Sequence, residues 1–174
     1  ETHGVAGEEG LVPARPENLR GALHTLRVVT TRGCPYHCSY CFKGIMGRSY
    51  RQRSVPNIMA ELHQIVDTYG VRNIYFVDDS FAINKRRLLE FTDRVIVDAL
   101  DIRWQVLIRA DRIDAESLQA MAQAGCREVH VGIESGNQEM LDRIRKQITL
   151  DQVRHAVKWA RDAGIAVKGY FMLG

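Results

Sequence analysis

The stretch TTRGCPYHCSYCFKG, residues 30–44, holds three of the four cysteines of this chain in the spacing C-x3-C-x2-C. The fourth, Cys126, lies far away in the run GCREVHVG. A disulfide framework normally uses an even, spread-out set of cysteines in an oxidising compartment. No signal-peptide profile precedes the cysteines, and no apolar run is long enough to span a bilayer. We therefore expect a cytoplasmic protein without a membrane partner, whose clustered thiols bind metal.

The number and spacing of these thiols favour an iron–sulfur cluster over zinc. Structural zinc commonly takes a closed set of four ligands from two separated pairs, and the chain has no second cysteine pair. His37 as a fourth ligand would strain the loop, because it lies between Cys34 and Cys38. Three thiolates, from Cys34, Cys38 and Cys41, would leave one iron of a four-iron cluster open, and an open metal position is typical of catalysis. A non-catalytic zinc or electron-transfer module is the alternative.

Length and charge limit the class of protein. With 174 residues, 45% of them hydrophobic, the chain suits one domain with its own core. The net charge of +3 is too small to indicate a nucleic-acid partner. The interval between Glu17 and Glu61 has no acidic residue but contains Arg20, Arg27, Arg32, Lys43, Arg48, Arg51 and Arg53. These basic side chains either form a solvated basic face or create a positive electrostatic potential that favours an anionic ligand beside the cysteines.

Apolar β-branched runs alternate with helical patterns along the chain. The predicted strands are LRVVTT (26–31), VRNIYFVDDS (71–80), IRWQVLIRAD (102–111), REVHVGIES (127–135) and IAVKGYFMLG (165–174). The predicted helices cover residues 54–70, 84–100, 114–125, 137–144 and 149–164, and Thr149 with Gln152 predicts a capping box for the last one.

A weak internal repeat indicates how these elements are arranged. Gly70, Gly125 and Gly164 each close a helix and lead directly into an apolar strand. Helix–Gly–strand units build parallel sheets, since each parallel strand needs a crossover connection. We predict an α/β fold, a partial TIM-like (β/α) barrel of parallel strands. An open doubly wound sheet is the alternative, although the chain lacks the Gly-rich phosphate loop of a Rossmann fold.

Each predicted strand turns polar where it ends. In a barrel of parallel strands these ends share one rim, where catalytic groups lie. Polar strand-to-helix loops are also common without any function. The rim residues after the cysteine loop are Asp78, Asp79, Ser80, Arg109, Asp111, Glu134 and Ser135.

The cysteine motif, with Tyr40 directly before its last cysteine, resembles the signature of the radical S-adenosylmethionine (SAM) superfamily. The resemblance extends through RSVPNIMAELHQIVDTYGVRNIYFVDDSF (53–81) and GIESGNQEMLDRIRK (132–146) to VKGYFMLG (167–174). The amino-acid sequences of these segments are most similar to those of the cobalamin-associated branch. That branch contains an anaerobic porphyrin-ring cyclase and many methyltransferases.

The resemblance implies a mechanism. A [4Fe-4S] cluster on the three cysteines would bind SAM through its open iron. One electron, from a reductant such as flavodoxin or ferredoxin, would then cleave SAM to methionine and a 5′-deoxyadenosyl radical. That radical would abstract hydrogen from, or start group transfer to, an unactivated carbon of a small-molecule or peptide substrate.

The resemblance also implies roles for the rim. Asp78, Asp79 and Ser80 stand where the family often has Gly-Gly-Glu, which meets the SAM amino group. Glu134 and Ser135 stand where the family contacts the ribose hydroxyls. Arg109 would pair either with the SAM carboxylate or with a neighbouring acid in a structural ion pair. Tyr40 would lie near the adenine.

The family core usually has six strands, and this chain supplies five. We expect residues 26–174 to be a radical SAM core truncated after its fifth strand, in a piece of a longer protein. Residues 1–25 would be a linker or the tail of an upstream domain. Cobalamin would enter only through a domain absent from this chain. Of the remaining residues, Cys126 reads as a buried small hydrophobe, and His130, a single histidine without partners, is weak evidence for a site.

Overall fold

The computed structural model describes residues 24–173, and the predicted linker therefore lies almost wholly outside the described residues. The strands are β1 (Leu26–Val28), β2 (Thr31–Arg32), β3 (Arg51–Gln52), β4 (Asn73–Phe76), β5 (Arg103–Ile108), β6 (Cys126–Glu134) and β7 (Ala166–Phe171). The α-helices are α1 (Val55–Gln64), α2 (Lys85–Val97), α3 (Ala115–Gln123), α4 (Gln138–Arg143) and α5 (Leu150–Asp162). No helix in this part of the chain is long and apolar enough to cross a membrane.

Five strands form one parallel sheet in the order β1-β4-β5-β6-β7. This order follows the chain without a reversal, which a doubly wound sheet would require. All five predicted strands are present, and the parallel α/β prediction is confirmed. The carboxyl ends of the strands therefore meet at one edge, where the cysteine loop follows β1.

The first predicted strand, residues 26–31, is divided in two. β1 ends at Val28, and β2 pairs antiparallel with β3 in a separate two-stranded ribbon. The Asp78 carboxylate accepts hydrogen bonds from the backbone amides of Thr30 and Thr31, at 2.6 and 3.0 Å. Since these amides are taken by a side chain, the parallel ladder stops there. The cysteine loop is thus closed at its base by the β2–β3 ribbon.

The glycines predicted to close helices have the left-handed backbone that this role requires. Gly70, Gly125 and Gly164 have φ values of 70°, 90° and 74°. A Cβ atom on Gly125 would lie 2.2 Å from the carbonyl oxygen of Ile102, so no other residue fits there. The first helix departs from prediction at its end, because the α1 geometry gives way to a π-helical turn, Ile65–Tyr69. The capping box of Thr149 and Gln152 is present at the start of α5.

The main core lies between the sheet and the helices that cover its outer face. Phe76, Phe81, Phe91 and Trp104 pack with ring centroids 5.1–5.7 Å apart, and each is at most 1% exposed. Cys126 joins this core at 1% exposure, and burial raises the pKa of its thiol. The prediction that Cys126 is a buried small hydrophobe is confirmed.

Candidate active site

The three clustered cysteines occupy a loop whose ends are held together. Gly33 has a φ of +81°, and a Cβ atom there would lie 2.3 Å from the carbonyl oxygen of Ser49. The amide of Cys34 donates to the carbonyl of Gly47 at 3.3 Å. Cys34 is buried, Cys38 is half-buried, Cys41 is exposed, and all three are free thiols.

The cysteine loop covers the rim of the sheet and encloses a cavity of about 240 Å³. Besides the three cysteines, this cavity is lined by Tyr40, Lys43, Asp79, Leu107, Ile108, Arg109, Gly132, Glu134, Lys146 and Tyr170. The strand ends therefore share one site with the thiols, as the sequence predicts. A larger cavity of about 550 Å³ lies between α1 and α2 and contains none of the predicted site residues.

The polar run after β4 separates into residues with different surroundings. Asp78 is 2% exposed, and its carboxylate is engaged with the amides and the hydroxyl of Thr30 and Thr31. Ser80 is 1% exposed and does not line the cavity. Asp79 is exposed and lines the cavity. The SAM contact predicted for these three residues stays a prediction, and the geometry favours Asp79 for it.

Glu134 forms an ion pair that the sequence pattern does not reveal. Lys146, after α4, places its Nζ 2.8 Å from Glu134 Oε1 and 3.1 Å from the Tyr40 hydroxyl. The Tyr40 hydroxyl donates to the same Glu134 oxygen at 2.8 Å. The side chains of Lys146 and Glu134 are only 7% and 11% exposed, so each charge needs the other. Burial and the hydrogen bond to Glu134 raise the pKa of Tyr40 well above its ordinary value.

The backbone conformation at Glu134 directs its carboxylate into the cavity. Glu134 has a φ of +69°, a left-handed conformation at the end of β6 that is rare for a residue with a side chain. A Cβ atom on Gly132 would lie 2.7 Å from Glu134 Oε1 and 2.8 Å from Lys146 Nζ. Gly132 therefore leaves the space that the ion pair occupies. Ser135 lies outside the cavity lining, and its hydroxyl accepts a hydrogen bond from the amide of Asn137.

Arg109 connects the thiols to the rim. Its Nε donates to Asp111 at 2.9 Å, its Nη2 to the carbonyl of Lys146 at 2.8 Å, and its Nη1 lies 3.8 Å from Cys38 Sγ. Its guanidinium also lies 3.6 Å from the centre of the Tyr36 ring. Burial alone would lower the pKa of Arg109, but the charge and hydrogen bond of Asp111 outweigh it and raise that pKa. The structural ion pair, one of the two predicted alternatives, is thus present.

The basic interval around the cysteines has mixed surroundings. Arg53 pairs with Glu61 on α1, whereas Lys43 lines the cavity. Burial opposes the charge of Lys43, but its hydrogen bond and proximity to Cys41 and Cys34 raise its pKa. Positive charge therefore accompanies the thiols from two sides, through Lys43 and Arg109.

The donor set fits a cluster of several irons. Within residues 24–173, no three His, Cys, Asp or Glu side chains converge on a point suited to a single metal ion. The irons of a cluster sit at separate corners, so its thiolates do not have to converge. Thiolate is the ligand that iron–sulfur clusters use, and Lys43 and Arg109 offset the negative charge of these thiolates.

One expectation about the inner face of the sheet is wrong. His130 has partners, because its Nδ1 lies 3.0 Å from the Tyr170 hydroxyl and 3.2 Å from that of Tyr75. Its Nε2 lies 2.5 Å from Glu128 Oε1. These partners come from three strands, and neither tyrosine is close to His130 in the sequence.

Comparison with known proteins gives the family. The model of the Radical SAM superfamily matches residues 28–174, which include the cysteine loop, the last residue of β1 and the other four strands of the parallel sheet. The chain belongs to the radical SAM superfamily. The three-cysteine loop, the parallel sheet and the shared rim described above are therefore features of a radical SAM core.

Individual relatives agree with this assignment. Over 148 residues the chain is 36% identical to an uncharacterized methyltransferase of Pyrococcus horikoshii, covering 84% of this chain and 32% of that protein. Over 161 residues it is 29% identical to the anaerobic magnesium-protoporphyrin IX monomethyl ester cyclase of Rubrivivax gelatinosus, covering 91% and 28%. The chain thus spans about a third or less of the length of these curated relatives.

A solved structure shows the same fold. The radical SAM methyltransferase TsrM from Kitasatospora setae, determined with cobalamin and a [4Fe-4S] cluster bound, matches with a TM-score of 0.75. The match covers 85% of this chain and 31% of that chain at 24% identity. The partial TIM-like barrel predicted from the sequence is confirmed by this likeness.

Proposed function

We propose that this chain is the catalytic core of a radical SAM enzyme, in which Cys34, Cys38 and Cys41 hold a [4Fe-4S] cluster. The observation that carries the proposal is the single cavity that these thiols share with carboxylates from two strand ends, Asp79 and Glu134. When bound and reduced, such a cluster would supply the electron for SAM cleavage and for radical chemistry at an unactivated carbon.

The rim supplies binding groups for SAM. Asp79 is exposed in the cavity and offers a carboxylate for the SAM ammonium group, a charge-assisted hydrogen bond. Glu134 offers its second oxygen to the ribose hydroxyls, while Lys146 and Tyr40 hold its first oxygen. Arg109 keeps its positive charge beside Cys38, where it offsets thiolate charge or meets the SAM carboxylate.

The reaction class follows from the relatives and is part of the proposal. Methyl transfer or ring formation on a small-molecule or peptide substrate fits the methyltransferase and cyclase names of the related proteins. Cobalamin would be held by another part of a longer protein, as a domain beyond residues 24–173. Flavodoxin or ferredoxin would supply the electron, in a reducing cytosol where the thiols stay free.

Anaerobic reconstitution tests the cluster. We expect about four irons and about four sulfides per chain, from the stoichiometry of a four-iron cluster. Replacing Cys34, Cys38 or Cys41 with Ala should abolish iron retention, whereas Cys126→Ala should keep it because Cys126 is buried in the core. Stoichiometric zinc without sulfide would instead support the non-catalytic metal module.

SAM binding is tested on the reconstituted protein. SAM should change the electron paramagnetic resonance spectrum of the reduced cluster, and 5′-deoxyadenosine should appear on reduction. An unchanged spectrum at saturating SAM would contradict the proposed function even if the cluster assembles.

A further inference from the structure

A hydrogen-bonded group centred on the buried His130 lies on the inner face of the sheet, opposite the helix-covered core. We call it the His130 cluster, and its members are Tyr75 on β4, Glu128 and His130 on β6, and Tyr170 on β7. His130 is 3% exposed, whereas the Glu128 side chain is 38% exposed. His130 is thus a buried side chain whose two ring nitrogens both have polar partners.

Each hydrogen bond of the His130 cluster can be assigned a donor and an acceptor. Glu128 can only accept when ionised, so His130 Nε2 carries the proton in their 2.5 Å contact, and the network thereby assigns the tautomer. Nδ1 is then left with one lone pair, which accepts one hydroxyl proton. Tyr170 is the closer donor at 3.0 Å, against 3.2 Å for Tyr75. Burial and then the charge and hydrogen bond of Tyr170 raise the pKa of Tyr75, which therefore keeps its proton.

The two ends of this chain of hydrogen bonds lie in different places. Tyr170 lines the cavity together with Cys38 and Glu134. Glu128, at the other end, is partly open to solvent. Because the hydroxyl of Tyr170 donates toward His130, its oxygen keeps a lone pair. A relay between His130 and the cavity would use this lone pair to accept a proton from a bound molecule. A carboxylate–imidazole–hydroxyl series of this kind is suited to general base catalysis.

We propose that Tyr170, His130 and Glu128 form a proton relay that takes a proton from a substrate O–H or N–H group in the cavity. The substrate bond to hydrogen breaks as an O–H bond forms at Tyr170, and the original Tyr170 proton moves to His130 Nδ1. The imidazolium produced is held by the Glu128 carboxylate, and no electrons are exchanged. Tyr170 is the catalytic residue of this step, while His130 and Glu128 act through it.

Charged side chains on the neighbouring strands act on the His130 cluster in two opposing ways. Lys168 stands opposite His130 in the β6–β7 register, and its Nζ lies 5.8 Å from the Tyr170 ring centre. On the β5 side the register partner of His130 is Leu107, which carries no charge. The Arg27 charge acts on Tyr75, where burial outweighs it. The Lys168 charge favours negative charge developing on a ligand beside Tyr170. It opposes a positive charge on His130, and the Glu128 carboxylate offsets that effect.

This inference rests on the proposed function, because it takes the cysteine-lined cavity as the active site. It narrows the substrate to a molecule that carries an ionisable O–H or N–H group near the reacting carbon. An amine, an alcohol or a heteroaromatic N–H would satisfy this requirement, whereas a pure hydrocarbon would not.

The test uses 4-nitrophenol as the probe, since its neutral and ionised forms absorb differently. It is added without SAM to the full, cluster-loaded protein at a pH at which the free phenol is protonated. We expect bound nitrophenol to be ionised at least tenfold more in the wild-type protein than in Tyr170→Phe, a tenfold change corresponding to one pKa unit. Glu128→Gln and His130→Gln should lose most of this ionisation, and Glu128→Asp should restore part of it. Tyr69→Phe, on the far side of the core, is the matched control and should behave as wild type.

Each result decides the question. A protein that leaves the probe neutral, or fails to bind it, overturns the relay, as does equal ionisation by Tyr170→Phe. Glu128 is partly exposed, so its variants are expected to fold, and their iron content per chain verifies this. The SAM-dependent change in the spectrum of the wild-type cluster is measured separately. Its loss would refute the proposed function, whereas its presence beside a neutral probe would refute the relay alone.

Discussion

The adjacent carboxylates Asp78 and Asp79 have different surroundings, which separate the structural role of Asp78 from the binding role proposed for Asp79. Asp78 accepts hydrogen bonds from the amides of Thr30 and Thr31, just beyond the end of β1, while Asp79 lines the cavity. Both residues follow the end of β4, where the chain bends at Asp79, and their side chains therefore face different surroundings.

Asp78→Ala should therefore destabilise the protein, because it leaves two buried amides without an acceptor. The expected loss is on the order of 1–3 kcal/mol for each amide. Asp79→Ala should change the free energy of unfolding by less than about 0.5 kcal/mol, as for an exposed residue, yet weaken SAM binding. Urea unfolding and SAM titration of both variants test this division, and equal stability losses would contradict it.

Gly132 gives a second prediction, since its missing side chain leaves room for the Glu134–Lys146 pair. Gly132→Ala would place a methyl group 2.7 Å from Glu134 Oε1, so the ion pair must shift. We expect weaker SAM binding, because Glu134 is displaced from the cavity. Gly136→Ala is the matched control, since a Cβ atom there has no neighbour within 4 Å. Isothermal titration with SAM compares the two, and equal affinity would show that Glu134 tolerates the shift.

The helices carry their own stabilising end contacts, and the start of α3 is sensitive to pH. Asp114 caps α3 by accepting from the amide of Ser117 at 2.9 Å, and it forms an ion pair with Lys85. Burial alone would raise the pKa of Asp114, but the hydrogen bonds of Lys85 and Ser117 outweigh it and lower that pKa below 3.8.

The pKa of Asp114 is lower in the folded protein than in the unfolded chain. This stabilisation is therefore complete when the pH is above the unfolded pKa, and it is lost as the pH falls through the folded pKa. Asp114→Asn keeps a capping group without a charge, so its unfolding free energy should depend less on pH below about 4. Urea unfolding across this range measures the effect, with the exposed Asp67→Asn as control. Identical pH profiles of Asp114→Asn and wild type would exclude Asp114 as the source.

At the scale of the whole molecule, the proposed cluster should stabilise the folded protein. The cysteine loop joins the β2–β3 ribbon to the rim through Arg109 and Lys146, so a bound cluster ties separate elements together. A group that binds only the folded state stabilises it. The cluster-free protein should therefore unfold at a lower temperature, by roughly 2–4 °C for each kcal/mol of binding free energy.

Anaerobic calorimetry before and after chelation of the iron measures this difference. A variant with Ser at Cys34, Cys38 and Cys41 should show no change on reconstitution. Equal unfolding temperatures of the loaded and cluster-free wild type would mean that the loop is already as rigid without the cluster.

Local pattern alone determined much of this protein. The spacing of Cys34, Cys38 and Cys41, the apolar strands and the helix-closing glycines predicted a parallel α/β core with a three-cysteine loop at its rim. These features depend on contacts between residues close in the chain, such as the turn at Gly125, or on periodicity that any parallel sheet shares. Thr149 and Gln152, three residues apart, were predictable for the same reason.

Only the tertiary structure decided which rim residues act together. Lys146 meets Tyr40 across 106 positions of sequence, and Tyr75 meets His130 across 55. Strand order brings Tyr75 and His130 to one face of the sheet. Lys146 and Tyr40 lie in loops and meet because both loops line the same cavity at the rim. A charged or hydroxyl side chain in a strand looks the same in sequence whether it faces solvent or a buried partner. The separation of Asp78 from Asp79 and the partners of His130 therefore emerged only when the five strands were in place.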